Sequence, residues 1–459
     1  MKMMKELWSR QGGYREVLST AFPLILSTSA WTLQQFVDRV FLAWYSPAAI
    51  AASMPAGILN FTFVSLFMGT VSYVTTFIAQ YHGARLNGRI GPVLWQSIYL
   101  SIIGGACILI FVPFAPIIFK SIGHTPDVLR EEIVYFRILC AGSLFPILNS
   151  ALSGFFSGRG RMWPVMWANL TGTAVNIVLD YGMIFGKLGF SEMGIAGAAI
   201  ATVLSGVAVL LFYIVAMLRR KEAAAQYGLG CRRIDIRLAL RLLRFGSPNG
   251  IQFFLDIVGF SIFLLIIGRL GTSSLAATNI AFNINTLAFM PMIGFSMAVS
   301  ILVGRYIGEG RADLAERSTY SCFGMTFLYM AILSALYILL PGLFLRPYRL
   351  LGTEGESGAI RSTVVVLLRF VAFYSLFDTL NLVFASAVRG AGDTHFVMYT
   401  GSAITFSVLI APSYIFLVVL DKDIYTGWII ATVYVCAMGI CFFLRFLHGK
   451  WKTMKVIEG

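Results

Sequence analysis

The sequence predicts an all-α polytopic membrane protein, with twelve transmembrane helices forming two pseudo-symmetric six-helix bundles. Three observations predict it. Of 459 residues, 58% are hydrophobic and only 12% are charged, about half the charged share of a soluble domain. Many apolar runs reach the ~20 residues needed to cross a hydrocarbon core of about 30 Å. The second half of the chain also repeats the first in order. Long runs such as Val203–Leu218 and Val408–Leu420 exclude the short alternating segments of a transmembrane β-barrel.

The apolar pattern places the spans at roughly 15–45, 48–82, 93–119, 130–157, 162–186, 193–218, 241–270, 273–308, 317–345, 360–388, 394–420 and 425–447. The amino end, MKMMKELWSRQGG, is read as lacking a cleavable signal, because the first apolar stretch is a full-length helix beginning after Tyr14. Lys and Arg then divide unevenly between alternate loops, 24 on the side of the amino terminus against 8 on the other, with Arg39, Arg137 and Arg369 inside spans. This is the positive-inside signal and predicts cytoplasmic termini. The net charge of +14 therefore sets topology and gives no reason to expect nucleic acid. Six cysteines show no paired spacing, so neither a zinc pattern nor a disulfide framework is expected.

The polar stretch Arg219–Arg244 divides the chain, giving an expected amino-terminal lobe at 1–218, a basic cytoplasmic linker at 219–240 and a carboxy-terminal lobe at 241–459. At a shift of 225 residues, Pro23 matches Pro248, Asn60 matches Asn285, Gly69 matches Gly294, and Tyr81 matches Tyr306. At 232, Arg137 matches Arg369, Asn149 matches Asn381, and Gly158 matches Gly390; at 230, Ala201–Thr202 match Ala431–Thr432. Six spans per half give both halves one orientation, a parallel repeat. Transporters of that plan bind substrate near the midplane and expose it alternately.

Against this apolar background each buried acid needs a reason, since a charged side chain at a helix centre costs roughly 2.5–3.5 kcal/mol on insertion scales. At 1.5 Å per residue, Asp38 lies roughly 12 Å below the outer turn at Ser46–Pro47, Asp180 roughly 10 Å below the same face and Thr202 about 15 Å deep. Asn176 sits one turn from Asp180 on the same helix face. These four form a first expected cluster. Asp378 and Asp256 lie roughly 16 and 18 Å from the cytoplasmic side, and Tyr374 is one turn from Asp378. These three form a second. The halves do not share the acids, for Phe263 stands opposite Asp38, Trp31 opposite Asp256 and Pro146 opposite Asp378. A carboxylate offers hard oxygen ligands to Na⁺, can exchange a proton, and attracts an organic cation. Possession of one at the expense of the other would couple their fluxes. Pro23 and Pro248 each remove a helical hydrogen bond and are read as hinges. Phe289, Met290, Met292 and Phe295 around Pro291 are candidates for lining an apolar cavity.

Together these residues resemble the multidrug and toxic compound extrusion (MATE) family, and its NorM-like branch in particular. The resemblance covers nearly the whole chain. It rests on FVDRVF around Asp38, NIVLDYGMIFGKLGF…GIAGAAIAT from Asn176 to Thr202, FGSPNGIQFFLD ending at Asp256, and YSLFDTLNLVFASAVRGAGDT containing Tyr374 and Asp378. It implies two six-helix lobes around a central cleft, and export of cationic amphipathic compounds in exchange for Na⁺ or H⁺. Asp38, Asn176, Asp180 and Thr202 match the family's first cation site, while Asp256, Tyr374 and Asp378 match the second. Na⁺ is thus expected at Asp38/Asp180 or at Asp256/Asp378. The branch often has Glu where this chain has Asp256, a shorter arm.

The reading expects a bacterial inner-membrane protein, a monomer, with no cofactor beyond the coupling ion. A flippase for lipid-linked sugars on a related fold is the alternative, and would want a cationic cavity for pyrophosphate. An enzyme is disfavoured, because the four histidines are scattered in or near loops and the chain has no HExxH, GxSxG or P-loop.

Overall fold

The computed structural model describes residues 8–219, 225–348 and 354–458. The start of the expected amino-terminal segment and positions 220–224 of the expected linker lie outside the described residues. Twelve long helices follow one another: α1 Tyr14–Tyr45, α2 Pro47–Gly83, α3 Asn87–Leu109, α4 Pro126–Ser157, α5 Trp163–Phe185 and α6 Gly194–Leu218, then α7 Ile236–Gly268, α8 Thr272–Gly308, α9 Ala312–Leu339, α10 Glu354–Ala391, α11 Thr394–Val419 and α12 Ile424–Leu447. Ten of these regions contain a helix long and apolar enough to cross a membrane. The two that fall short in composition are α1 and α5, which carry Asp38 and Asn176–Asp180. Large side chains such as Trp44, Leu265 and Leu339 are mostly exposed, as suits a surface solvated by lipid.

Local chemistry sets the boundaries. Ser46 caps α2 by accepting from the Ala48 amide at 3.2 Å, with Pro47 at the first helical position. Gly186 ends α5 at φ +65°, and the Lys187 amide donates to the Gly182 carbonyl at 2.8 Å. Asp423 caps α12 through the Thr426 amide at 3.0 Å. Two spans expected to be unbroken are interrupted at proline. The third stops at Leu109 and resumes as a short helix, Ala115–Lys120, because Pro113 has no N–H to give and disfavours helical backbone at Val112. The ninth stops at Leu339, and Pro341–Leu345 follows as a separate turn. Within α11, two π-helical runs, Thr405–Ile410 and Tyr414–Val419, flank Ala411–Ser413.

Contacts sort the described residues into two compact units, and the divisions fall inside α1 and α7. One unit takes residues up to Ile25 with Leu255–Ile307 and Arg311–Lys455; the other takes Leu26–Phe254 with Gly308–Gly310 and Val456 onward. The packing behind this obeys the repeat. In the first unit, a Cβ on Gly294 of α8 would lie 2.6 Å from Ile25 of α1. In the second, a Cβ on Gly69 of α2 would lie 2.8 Å from the Gly250 Cα of α7. Ile25 and Gly250, like Gly69 and Gly294, are 225 positions apart. The early part of α1 is further held by Glu16, whose carboxylate accepts from the Tyr306 hydroxyl at 2.7 Å.

The described part of the linker is strapped to α3. Gly91 N–H donates to the Tyr227 carbonyl at 2.7 Å, the Trp95 indole to Leu229 at 2.8 Å, Gln96 to Arg233 at 3.0 Å and the Tyr99 hydroxyl to Arg232 at 2.6 Å. A Cβ at Gly91 would overlap the Gly228 carbonyl, so glycine is required for this approach. Arg159 lies over the rings of Phe155 and Tyr227, 3.6 and 4.5 Å from their centroids.

Candidate functional site

Asp38 and Asp180 meet. Asp38 is buried on α1, and Asn176 and Asp180 are wholly buried on α5. The carboxyl groups lie within hydrogen-bonding reach of each other. Two carboxylates that close need a proton or a cation between them. In the amide orientation that gives both of its ends complementary neighbours, Asn176 donates to Asp38 Oδ1 at 2.8 Å and to Asp180 Oδ2 at 3.2 Å. Asp180 Oδ1 is buried and has no hydrogen-bond partner among the described residues. Tyr135 of α4, buried nearby, is within electrostatic reach of both acids. Thr202 on α6 is half-buried, and its hydroxyl donates to the Ala198 carbonyl of its own helix at 3.0 Å. The helix pair carrying the acids is fixed by Asn169 Nδ2, which donates to Ser27 Oγ at 2.5 Å, and by Thr173, which donates to the Ala30 carbonyl at 3.2 Å.

The second cluster is built differently. Asp378 of α10 accepts from Asn381 Nδ2 at 3.0 Å, three residues along the same helix. Tyr374 is buried one turn away and its hydroxyl accepts from Asn285 Nδ2 of α8 at 3.3 Å. Asp256 of α7 is half-buried. Tyr434 of α12 links the group, being within electrostatic reach of both Asp256 and Asp378, and its hydroxyl is 3.3 Å from Thr405 Oγ1. Thr405 is the first residue of a π-helical run, a departure common at functional positions. Gly259 of α7 permits the approach, for a Cβ there would lie 2.6 Å from Thr405 Cγ2.

Sequence reasoning did not single out Tyr135, Asn285, Asn381, Thr405 or Tyr434 for these sites. In the sequence Asn285 and Asn381 stand out only as repeat landmarks. Spacing could have found Asn381, which lies on the face of Asp378; the others come from separate helices. Pro23 and Pro248 both sit within continuous helices, near the points where α1 and α7 pass from one unit to the other. Of the residues flanking Pro291, Met292 and Phe295 are buried and Phe289 and Met290 are half-buried. Among the described residues no group of three or more His, Cys, Asp or Glu side chains could hold a metal ion.

Acids embedded in a duplicated all-helical membrane fold define a multi-pass membrane protein of the transporter type. The MatE family model matches twice, over residues 23–182 and 248–415, and its two starts are the two repeat-related prolines. The chain belongs to the MatE family. Among its relatives is the probable multidrug resistance protein NorM of Shewanella oneidensis, 27% identical over 386 residues, covering 84% of this chain and 83% of the relative. Another is the protein of the same name from Thermotoga maritima, 26% identical over 452 residues, covering 96% and 94%. The fold superposes on a MOP superfamily transporter from Pyrococcus furiosus with a TM-score of 0.87 at 21% identity, over 98% of both chains. It superposes on an outward-facing multidrug resistance MATE family transporter with a TM-score of 0.86 at 22% identity, again over 98% of both.

Proposed function

We propose that this protein is a secondary multidrug exporter, exchanging cationic amphipathic compounds for Na⁺ or H⁺ by alternating access. The observation that carries the reading is the Asp38–Asn176–Asp180 constellation. Two buried carboxylates held together in an apolar bundle form a place where one small cation resolves a like-charge conflict. The Asn176 amide adds a two-way group. With nitrogen toward the acids it bridges ionised carboxylates; turned by 180° it presents oxygen, as a Na⁺ ion or protonated acids would require. Occupancy and amide orientation are thereby linked.

The acids also suit a cationic substrate, whereas a flippase for pyrophosphate-linked sugars would need basic groups there. The names borne by the relatives favour drug export. Asp256, Tyr374 and Asp378 form a second cation site in this reading, with Thr202 completing the first. Pro23 and Pro248 act as hinges, and residues 1–218 and 241–459 are the two transporting lobes. The protein works as a monomer in the bacterial inner membrane with both termini cytoplasmic.

Reconstitution in liposomes tests the proposal. Imposed Na⁺ or H⁺ gradients should drive movement of a cationic dye. Dye movement indifferent to both gradients would refute coupling, and transport of an anionic lipid-linked sugar instead would favour the flippase.

A further inference from the structure

A crevice of about 300 Å³ opens among α2, α3 and α7, with no member of either acidic cluster in its lining. Its walls are Phe63, Leu66 and Phe67 of α2, Cys107 of α3, Phe111 just beyond α3, and Phe254 of α7. No charged or hydrogen-bonding side chain lines it apart from the weakly polar thiol. Phe63 and Phe111 stack at 4.1 Å with planes 9° apart and form one wall. Gly104 shapes another, since a Cβ there would lie 2.8 Å from the Phe67 ring. Such a space gives water no hydrogen-bond partners, whereas hydrocarbon fills it at no polar cost.

One basic side chain stands beside this crevice. Arg137 of α4 is exposed, and its Nε donates to the Val112 carbonyl at 3.3 Å, the residue after Phe111. This bond satisfies a backbone carbonyl where Pro113 ends the helix. The terminal guanidinium nitrogens have no further hydrogen-bond partner among the described residues. Arg137 follows the polar turn-and-a-half Asp127–Glu132 by five residues, or about 7.5 Å along the helix. That depth suits an arginine reaching back toward a phosphate, which its planar fork can bind in a bidentate manner.

We propose that this crevice is a phospholipid site, with one acyl chain between α2, α3 and α7 and the phosphate on Arg137. The lipid belongs to the leaflet on the side of the 120–126 turn. Its head neutralises a cation that the bundle otherwise leaves with one neutral partner, and its tail fills a gap that side chains leave open.

The experiment uses the whole purified protein. Native mass spectrometry should show a phosphatidylglycerol or phosphatidylethanolamine adduct that survives mild activation, with diacylglycerol of the same chains retained less. Arg137→Gln should weaken phospholipid retention about tenfold, the scale of one lost charge-assisted bond. Cys107→Phe, which fills the crevice, should abolish it. In the unmodified protein, N-ethylmaleimide should alkylate Cys107 more slowly when mixed micelles contain phospholipid, while exposed Cys231 reports reagent access. Equal retention of diacylglycerol and phospholipid, retention unchanged in Arg137→Gln, or Cys107 alkylation indifferent to phospholipid would each overturn the site. So would Cys107 protection by a cationic dye and not by lipid. None of these outcomes depends on the coupling ion or on transport.

Discussion

The same two helices of the repeat meet through acids in one half and through hydrocarbon in the other. In the first half α1 meets α5 at Asp38, Asn176 and Asp180, all buried. In the second half α7 meets α11, and the position matching Asp38 is Phe263, buried in an apolar cluster with Leu409 and Leu417 of α11. The asparagines show the reverse. Asn60 and Asn149 of the first half bind Ser143 Oγ at 3.2 Å and the Gly206 carbonyl at 2.9 Å, which is structural. Their repeat partners Asn285 and Asn381 bind Tyr374 and Asp378. Duplication supplied one scaffold with polar positions at fixed places. Each half then put charge at a different one, and the neighbouring amides were used accordingly.

The largest expected effect breaks the first-half pair. Asp38→Asn or Asp180→Asn should reduce gradient-driven dye transport by about 5–150-fold, the range for losing about 1–3 kcal/mol of coupling, while the protein still inserts. Gradient-driven transport at full rate in both variants would remove the pair from the mechanism. Copying the acid into the other half is the next test. Phe263→Asp places a lone carboxyl in an apolar cluster and should cost about 2.5–3.5 kcal/mol, seen as lower yield and a lower Tm in detergent. An unchanged Tm would mean that the cluster admits water or a partner.

The asparagine pairs give a finer comparison. Asn381→Ala removes a bond to a charged group, worth about 1.5–3 kcal/mol, whereas Asn149→Ala removes a neutral one, worth about 0.5–1.5 kcal/mol. Only Asn381→Ala should shift the ion dependence of transport; Asn149→Ala should lower Tm alone. Equal shifts from both would erase the distinction between the halves. The smallest effect belongs to Thr202→Ala, which loses a hydroxyl bonded to its own helix and should change transport less than about threefold, under one typical hydrogen bond. Transport and ion dependence wholly unchanged in Thr202→Ala would remove Thr202 from the first cation site.

The helices were legible in the sequence because hydrocarbon demands long apolar runs and internal backbone pairing. The acids were legible for the opposite reason, being costly where they stand. What supports them was not. Asn285, Thr405 and Tyr434 lie on three different helices, in a chain whose spans contain many hydroxyls and amides that bond only to their own helix, as Thr62 and Thr286 do. Which polar group faces a neighbour depends on helix rotation, and the π-helical turns of α11 change that rotation without an unmistakable signature in residue type. Pro113 carried a readable warning of a break, yet the surrounding apolar run hid it.

The strap on α3 has a practical consequence for how the molecule is made. Residues 227–235 hydrogen-bond to α3 of the first half, and α7 packs its Gly246 and Gly250 against Thr70 and Leu66 of α2. The covalent connection after Arg219 is therefore not what keeps the start of the second half in place. Two separately translated chains, ending at Arg219 and beginning shortly after it, should assemble and copurify as one particle. The polypeptide could then be divided there, as two cooperating genes, without dividing the protein.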